Sequence, residues 1–230
     1  MMDHSKLASI SLASYYSANR VGEVMYGATG DTHTFGNDKT GTVGYVSINH
    51  NSKEAVVVFR GTEDLKDILT DIRFFKVETL FGRKIHGGFL KAYSSISLDL
   101  SRLVDLIPLG YATYFTGHSL GGALALIHTL LSGKKPTLTV TFGSPRIGGG
   151  KVAKDLGEYA CVKYVNGWDI VARIPIINYY DGAEIRYVCK RGSGVLVNPS
   201  AWDMLKDRLG TWGLFSDHKM ANYIEKFKPQ

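Results

Sequence analysis

The pentapeptide Gly117-His118-Ser119-Leu120-Gly121 constrains the fold of this chain more than any other stretch. Residues 112–116 before it read as a short buried strand, and residues 122–127 after it read as an apolar helix. A G-x-S-x-G spacing between a strand and a helix is typical of a sharp turn that exposes a serine hydroxyl. The two glycines remove Cβ atoms that would clash in such a turn. The pattern therefore predicts that Ser119 is a nucleophile above a helix N-terminus.

A serine hydroxyl is a weak nucleophile until a base takes its proton, so a histidine and an orienting carboxylate should follow. In α/β hydrolases the three groups occur in the order serine, acid, histidine. Five of the seven histidines precede Ser119, and His128 lies on the helix that leaves the turn, facing away from it. His218 is the remaining candidate for the base; the alternative is a helix-capping or surface histidine.

The acid must lie between Ser119 and His218. The carboxylates in this interval are Asp155, Glu158, Asp169, Asp181, Glu184, Asp203, Asp207 and Asp217. The pairs 155/158 and 203/207 read as solvent faces of helices. Asp169 instead follows the apolar run 161–165, at the strand end where open α/β sheets place catalytic groups. We predict Asp169 as the acid, with Asp181 as its competitor.

Acyl transfer also requires backbone donors aimed at the developing oxyanion. The amide of Leu120, directly after the nucleophile, is one. The second should come from the loop after an earlier central strand. The run 54–59 is the most strand-like in the chain and leads into Thr62, which offers an amide and a hydroxyl. The His86-Gly87-Gly88-Phe89 block, which resembles an esterase oxyanion motif, is the rival.

Six sequence blocks, in order, closely resemble the class 3 (fungal-type) lipase family. They are FRGT at 59–62, HGGF at 86–89, TGHSLGGALA at 116–125, TFGSPRIG at 141–148, NGWDIVARIP at 166–175 and DHKMANYI at 217–224. The resemblance implies an α/β-hydrolase fold, hydrolysis of carboxylic esters of acylglycerols or related lipids, and a triad of Ser119, Asp169 and His218. It also implies Thr62 with Leu120 as the oxyanion hole, and a structural role for the HGGF block. The chain departs from the family in being shorter than the secreted fungal enzymes and in carrying Ile68 at a lid position that is often tryptophan.

Composition agrees with one α/β-hydrolase domain over residues 1–230, a central, mostly parallel sheet flanked by helices. The chain is 44% hydrophobic, enough for a sizeable core, and no linker or low-complexity run divides it. The periodicity predicts helices at 7–18, 89–106 and 151–156, a hairpin from 43–48 into the strand at 55, strands at 138–142, 161–165 and 185–188, and two closing helices.

Residues 65–75 predict an amphipathic helix beside the oxyanion loop. Its apolar positions are Leu65, Ile68, Leu69, Ile72 and Phe75. The resemblance favours a lid whose apolar underside covers the acyl site and turns toward lipid, over an ordinary core-packed helix. A second candidate surface, 201–215, contains Trp202 and Trp212 and reads equally well as an interfacial anchor, an acyl-pocket wall or core.

The remaining features limit partners and compartment. Cys161 and Cys189 lie in predicted strands; they could be adjacent but read more simply as small buried residues, so no disulfide framework is implied. The N-terminal segment lacks the pattern of a signal peptide, which predicts a cytoplasmic protein or one exported without such a peptide. No metal-ligand cluster, phosphate loop or other cofactor motif occurs. The net charge of +6 is spread over scattered pairs, which argues against nucleic acid and allows peripheral contact with an anionic membrane.

These observations favour a lipase or esterase that forms an acyl-enzyme at a lipid–water interface. The same triad could instead cleave phospholipid sn-1 esters or aromatic esters. A non-catalytic lipid-binding module on the same scaffold is the third hypothesis, since a fold alone does not confer activity.

Overall fold

The structure, a computed structural model, describes residues 1–27, 31–62, 76–78, 82–190, 194–209, 213, 216–225 and 227. Its strands are β1 Asp31–Asn37, β2 Thr42–Asn49, β3 Glu54–Phe59, β4 Lys76–Glu78, β5 Lys84–His86, β6 Ala112–His118, β7 Leu138–Phe142, β8 Cys161–Asn166, β9 Glu184–Val188 and β10 Val195–Val197. Its helices are α1 His4–Ala13, α2 Ala18–Tyr26, α3 Gly87–Ser94, α4 Ser97–Val104, α5 Leu120–Leu131, α6 Gly150–Leu156, α7 Ala201–Arg208 and α8 Met220–Glu225.

An eight-stranded sheet in the order β1-β2-β3-β6-β7-β8-β9-β10 organises the described residues. The five strands from β3 to β9 in this order run parallel, and β1, β2 and β10 join antiparallel at the two edges. β4 and β5 form a separate antiparallel ladder. Because the inner strands are parallel, their carboxyl ends meet at one edge of the sheet, where ligand and catalytic groups collect.

Helices cover both faces of the sheet. In β3, Ala55, Val57 and Phe59 face a core shared with α3 to α6, and Val56 and Val58 face a second core shared with α1, α2 and α8. Burial on both faces explains why the run 55–59 is continuously apolar instead of alternating. The layered arrangement confirms the predicted α/β-hydrolase fold. The predicted lid helix at 65–75 lies outside the described residues.

The observed elements differ from the sequence predictions in several places. The first helix ends at Ala13, and Ser17 caps a separate helix, α2, through its side chain. The predicted helix 89–106 is two helices, α3 and α4, interrupted at residues 95–96. β1 and β10 were not predicted, because β1 buries only Phe35 and β10 buries none of its residues. Both are edge strands, and so few of their residues are buried that the sequence shows no apolar periodicity there.

The two cysteines are not adjacent in the sheet. The register pairs Val162 with Glu184, so Cys189 lies five residues beyond that partner, roughly 17 Å along the strand direction. Cys161 and Cys189 are both buried, as expected of small apolar side chains. Among the described residues, no helix has the length and apolar character needed to cross a membrane.

Candidate active site

Ser119 lies on the sharp turn that the sequence predicts. β6 ends at His118, α5 begins at Leu120, and Ser119 between them has φ 56° and ψ −126°. This conformation is unfavourable for a residue with a side chain. The turn is tight because a Cβ on Gly121 would lie 2.1 Å from the carbonyl oxygen of Phe59, and one on Gly117 would lie 2.5 Å from the Gly121 backbone. The motif glycines are therefore required by close approach of β3, β6 and α5.

Asp169 and His218 meet beside this turn. Nδ1 of His218 lies 2.9 Å from both carboxylate oxygens of Asp169, although 49 residues separate the two in sequence. Asp169 follows β8 at the carboxyl edge of the sheet, and His218, just before α8, contacts it there. The backbone amide of Val171 donates to Oδ1 of Asp169 at 2.9 Å, and the hydroxyl of Tyr223 donates to Oδ2 at 2.5 Å. The carboxylate is thus fixed from three directions.

The electrostatics of this pair follow from burial and hydrogen bonding. Burial alone would raise the pKa of Asp169, but the hydrogen bond and charge of His218 and the hydroxyl of Tyr223 hold that pKa below its usual value. Burial and the neighbouring Asp169 charge raise the pKa of Tyr223 well above its usual value. Asp169 is therefore an ionised acceptor and Tyr223 a neutral donor. An ionised carboxylate on Nδ1 selects the tautomer of His218 whose Nε2 can accept a proton.

The competitor, Asp181, is used elsewhere. Its carboxylate accepts from Nε of Arg146 at 2.9 Å and from Nζ of Lys163 at 2.5 Å. Lys163 is almost fully buried, and its ammonium also donates to the carbonyl of Ala172. Two cations thus neutralise Asp181, which serves a buried ion-pair network rather than a histidine.

Three of the carboxylates that the sequence assigned to solvent faces of helices also have structural partners. Asp155 accepts from Nε of Arg83, Asp203 closes a capping box with Ser200 at the start of α7, and Asp207 accepts from the hydroxyl of Tyr187. None of these contacts involves His218.

The reactive atoms of Ser119 and His218 are enclosed. Oγ of Ser119 and Nε2 of His218 are buried and have no hydrogen-bond partner among the described residues. The residues themselves are 0% and 1% exposed. A substrate must therefore displace part of the protein before it can reach Oγ. The unpartnered Nε2 is the atom that the predicted mechanism assigns as the base.

The two oxyanion candidates occupy different surroundings. Thr62 lines a cavity of about 330 Å³ together with His118 and His218, and Leu120 is the first residue of α5. His86 is buried and packs on the ring of Phe89 at a centroid distance of 4.2 Å, while Gly87 and Gly88 form the first turn of α3. The His86 ring thus packs on its own helix, whereas Thr62 and His218 line one cavity, and the oxyanion role of Thr62 stays a prediction.

Some predicted site residues lie outside the described part of the chain, and the structure adds two residues that were not predicted. The lid residues Leu65, Ile68, Leu69, Ile72 and Phe75 lie outside the described residues, as does Trp212. Sequence reasoning missed His118, whose ring lies 4.6 Å from that of His218 between centroids and is tilted by 35° to it, and it missed Tyr223, whose hydroxyl donates to Asp169. The signal for His118 is its place inside the G-x-S-x-G motif. Tyr223 gave no signal beyond its position on the helix after His218.

An α/β-hydrolase fold with a serine at the strand–helix turn and a histidine–aspartate pair next to it defines the class of serine hydrolases with this fold. The chain belongs to the class 3 lipase family, whose sequence pattern matches residues 56–179, more than half of the chain.

Comparisons with individual proteins agree with this assignment. A secreted mono- and diacylglycerol lipase of Fusarium solani is 31% identical over 148 residues, which cover 60% of this chain and 44% of the relative. Lipase II from Rhizopus niveus superposes with a TM-score of 0.74 and 26% identity, covering 85% of this chain and 83% of that structure. A triacylglycerol lipase with a serine protease triad as its catalytic centre gives a TM-score of 0.70 at 25% identity, covering 84% and 81%. The chain spans less than half the length of the curated relatives it matches.

Proposed function

We propose that this chain is a serine hydrolase that cleaves carboxylic esters of acylglycerols through an acyl-enzyme intermediate. The observation that carries the proposal is the pair of 2.9 Å contacts from Nδ1 of His218 to Asp169, with Ser119 on the adjacent turn. The names of the similar lipases support the substrate class.

The residues divide the reaction as follows. Nε2 of His218 takes the proton of Ser119 while Oγ attacks the ester carbonyl carbon, and Asp169 stabilises the imidazolium that forms. The amide of Leu120 and the amide and hydroxyl of Thr62 donate to the tetrahedral oxyanion. His218 then gives its proton to the departing alcohol. In the second half, His218 activates a water molecule, which releases the fatty acid and restores Ser119.

The test combines labelling with kinetics on a soluble short-chain ester. An organophosphonate should modify Ser119 and no other serine, and Ser119→Ala should lower turnover by about 10⁴- to 10⁶-fold. Ser144→Ala is the matched control, because Ser144 is equally buried but its hydroxyl donates to the carbonyl of Pro145. Full activity in Ser119→Ala, or no hydrolysis of any ester by the wild type, would refute the proposal. A panel of acylglycerol, phospholipid and aromatic esters then identifies the substrate class.

A lipid surface is the proposed site of action. Because the reactive atoms of Ser119 and His218 are buried, we propose that a segment covering them moves aside at that surface. The predicted helix at 65–75 is adjacent in sequence to Thr62. Its apolar face can cover Ser119 in water and enter lipid at an interface, where each buried side chain contributes about 1.5–3 kcal/mol. Ile68→Asp should impair hydrolysis of emulsified long-chain esters far more than of a soluble ester. Equal loss on both substrates with a lower melting temperature would instead indicate a fixed core helix.

Helix α7 supports the same proposal independently, because part of its apolar surface faces solvent. Trp202 and Leu205, with Leu209 just after the helix, are 59%, 42% and 57% exposed. The inward side combines Met204, which packs on a small apolar cluster, with polar contacts of Asp207 to Tyr187 and of Arg208 to the ring of Trp168. An apolar face turned to solvent is typical of a surface that contacts something apolar.

The position of α7 favours a lipid surface as that partner. Trp168 directly precedes Asp169, and Nη1 of Arg173 contacts the sulfur of Met204, so α7 sits against the loop that carries the predicted acid. Lys206 lies 5.4 Å from the centroid of the Trp202 ring, a combination suited to the boundary between lipid and water. Leu205→Asp should therefore weaken adsorption to emulsified ester and leave soluble-ester hydrolysis intact. Leu109→Asp, an exposed leucine before β6 at the opposite edge of the sheet, is the matched control. Equal adsorption of both variants would exclude α7 as a lipid contact.

A further inference from the structure

The carbonyl oxygen of His218 is held by a second histidine. Nε2 of His118 lies 2.6 Å from that oxygen, and the planes of the two imidazole rings differ by 35° at a centroid distance of 4.6 Å. A carbonyl can only accept a hydrogen bond, so Nε2 of His118 carries the proton. The backbone and the ring of His218 are thus both in contact with one neighbouring side chain.

The other ring nitrogen of His118 is engaged by Tyr15. The hydroxyl of Tyr15 lies 2.7 Å from Nδ1, and since Nε2 of the neutral ring carries the proton, Nδ1 must accept from the hydroxyl. Burial and the neighbouring His218 lower the pKa of His118 to about 3, which keeps its ring neutral. A donor on Nδ1 and an acceptor at Nε2 together select a single tautomer.

Tyr15 also touches the segment that carries Thr62. Its hydroxyl is so close to Gly61 that a Cβ on this residue would lie 2.1 Å from it. Tyr15 follows α1, Gly61 follows β3, His118 ends β6 and His218 precedes α8. The Tyr15–His118 pair therefore joins four separate segments around Ser119.

We propose that Tyr15 and His118 are positioning residues: Tyr15 anchors the ring of His118 through Nδ1, and His118 holds the main chain and ring plane of His218 so that Nε2 faces Ser119. The inference rests on the proposed hydrolase function and concerns the same site. Two hydrogen-bonded chains then converge on His218. Tyr223 and Asp169 fix Nδ1, and Tyr15 and His118 fix the carbonyl and the ring face.

The effect should appear in turnover and not in substrate binding. A displacement of about 1 Å in a catalytic group can cost on the order of 100-fold in rate. Without the hydroxyl of Tyr15, Nδ1 of His118 is left in a buried site without the donor that it faces in the wild type. The ring of His118 is then no longer anchored at this end, so it can rotate away from the carbonyl of His218, and His218 would shift.

The test compares two Tyr→Phe substitutions that each remove a tyrosine–histidine hydrogen bond. The hydroxyl of Tyr93 and Nδ1 of His128 form a hydrogen bond of 3.0 Å inside the other core, a buried pair with no place in the site. Tyr15→Phe should lower kcat on a soluble ester by about 10- to 100-fold with KM nearly constant. Tyr93→Phe should lower the melting temperature with kcat unchanged. Equal kcat in both variants, or losses of activity that follow the melting temperature alone, would overturn the proposal.

Substitutions of His118 provide a second, independent readout. His118→Gln places an amide N–H near the position of Nε2 and should retain part of the turnover, whereas His118→Leu fills the space without a donor and should lose more. In nitrogen-edited NMR of the folded wild type, Nε2 of His118 should bear the proton, and Tyr15→Phe should disturb both this signal and that of Nδ1–H of His218. An undisturbed His218 signal in Tyr15→Phe would contradict the inference. These spectra are informative even if Ser119→Ala shows that the hydrolase proposal itself is wrong.

Discussion

The hydroxyl of Tyr223 lies 2.5 Å from Oδ2 of Asp169, and both side chains are fully buried. The hydroxyl oxygen of Tyr223 also accepts a hydrogen bond from the backbone amide of Asn166 at 3.0 Å. One hydroxyl thereby connects the end of β8, the predicted acid and helix α8. The charge on Asp169 depends in part on a residue to which the sequence assigned no catalytic role.

Tyr223→Phe removes this donor and leaves the amide of Asn166 without its acceptor. We expect the unfolding free energy to fall by about 1.5–3 kcal/mol, because both a charged and a buried partner lose a hydrogen bond. The pKa of Asp169 should rise toward its usual value. Urea denaturation and the acid limb of the pH–rate profile measure the two effects. An unchanged profile together with unchanged stability would show that the contact is inconsequential.

Asp169→Asn and Asp181→Asn should give opposite results. An amide at 169 no longer selects the tautomer of His218, so turnover should fall by about 10⁴-fold. An amide at 181 leaves the buried ammonium of Lys163 without its carboxylate, which should cost about 3–5 kcal/mol of stability with turnover of the folded protein retained. Kinetics and denaturation of both variants separate the roles. Activity that survives in Asp169→Asn but not in Asp181→Asn would reverse the assignment.

Thr62→Val tests the oxyanion hole, because it keeps the shape of the side chain and removes the hydroxyl. Turnover should fall roughly 10- to 1000-fold with little change in melting temperature. Gly88→Ala is the comparison within the rival block, where the added Cβ would meet, among the described residues, the His86 ring at 3.3 Å. Its activity should stay near that of the wild type. A silent Thr62→Val beside an inactive Gly88→Ala would transfer the oxyanion role to the His86 block.

Two buried neutral histidines should make the protein labile to mild acid. Burial lowers the pKa of both His118 and His128 to about 3, from an ordinary value of about 6.5. Between these values the unfolded chain binds more protons than the folded one, so stability rises with pH up to about 6.5 and then levels. Each histidine contributes up to about 1.4 kcal/mol per pH unit in that window.

His128→Gln isolates one of these contributions. The glutamine oxygen can still accept from Tyr93, but the side chain takes up no proton in the unfolded state. Unfolding free energies measured between pH 4 and 7 should therefore depend less steeply on pH, by about one proton. A slope identical to that of the wild type would mean that His128 is not the group responsible.

The sequence was sufficient for the strand, turn and helix around Ser119 and for the choice of Asp169 and His218 as partners, because strand ends, chain order and motif spacing can be read along the chain. The geometry at Tyr15 and His118 was not readable, since their partners lie 103 and 100 residues away and a hydrogen-bond partner is chosen by packing. The break between α3 and α4 was also missed, because the apolar spacing continues through Ile96, which is itself buried in the core. The catalytic roles stay predictions until the variants above are measured.

The backbone conformation of Ser119 makes the nucleophile a cost to the stability of this chain. At φ 56° and ψ −126° the backbone of a glycine is unstrained, whereas that of a serine is strained by a conformational free energy on the order of 1–3 kcal/mol. Ser119→Gly should thus yield a chain that melts at a higher temperature than the wild type and hydrolyses nothing. Stability alone would favour glycine at this turn, so a serine held in this strained conformation indicates that the position is used for chemistry.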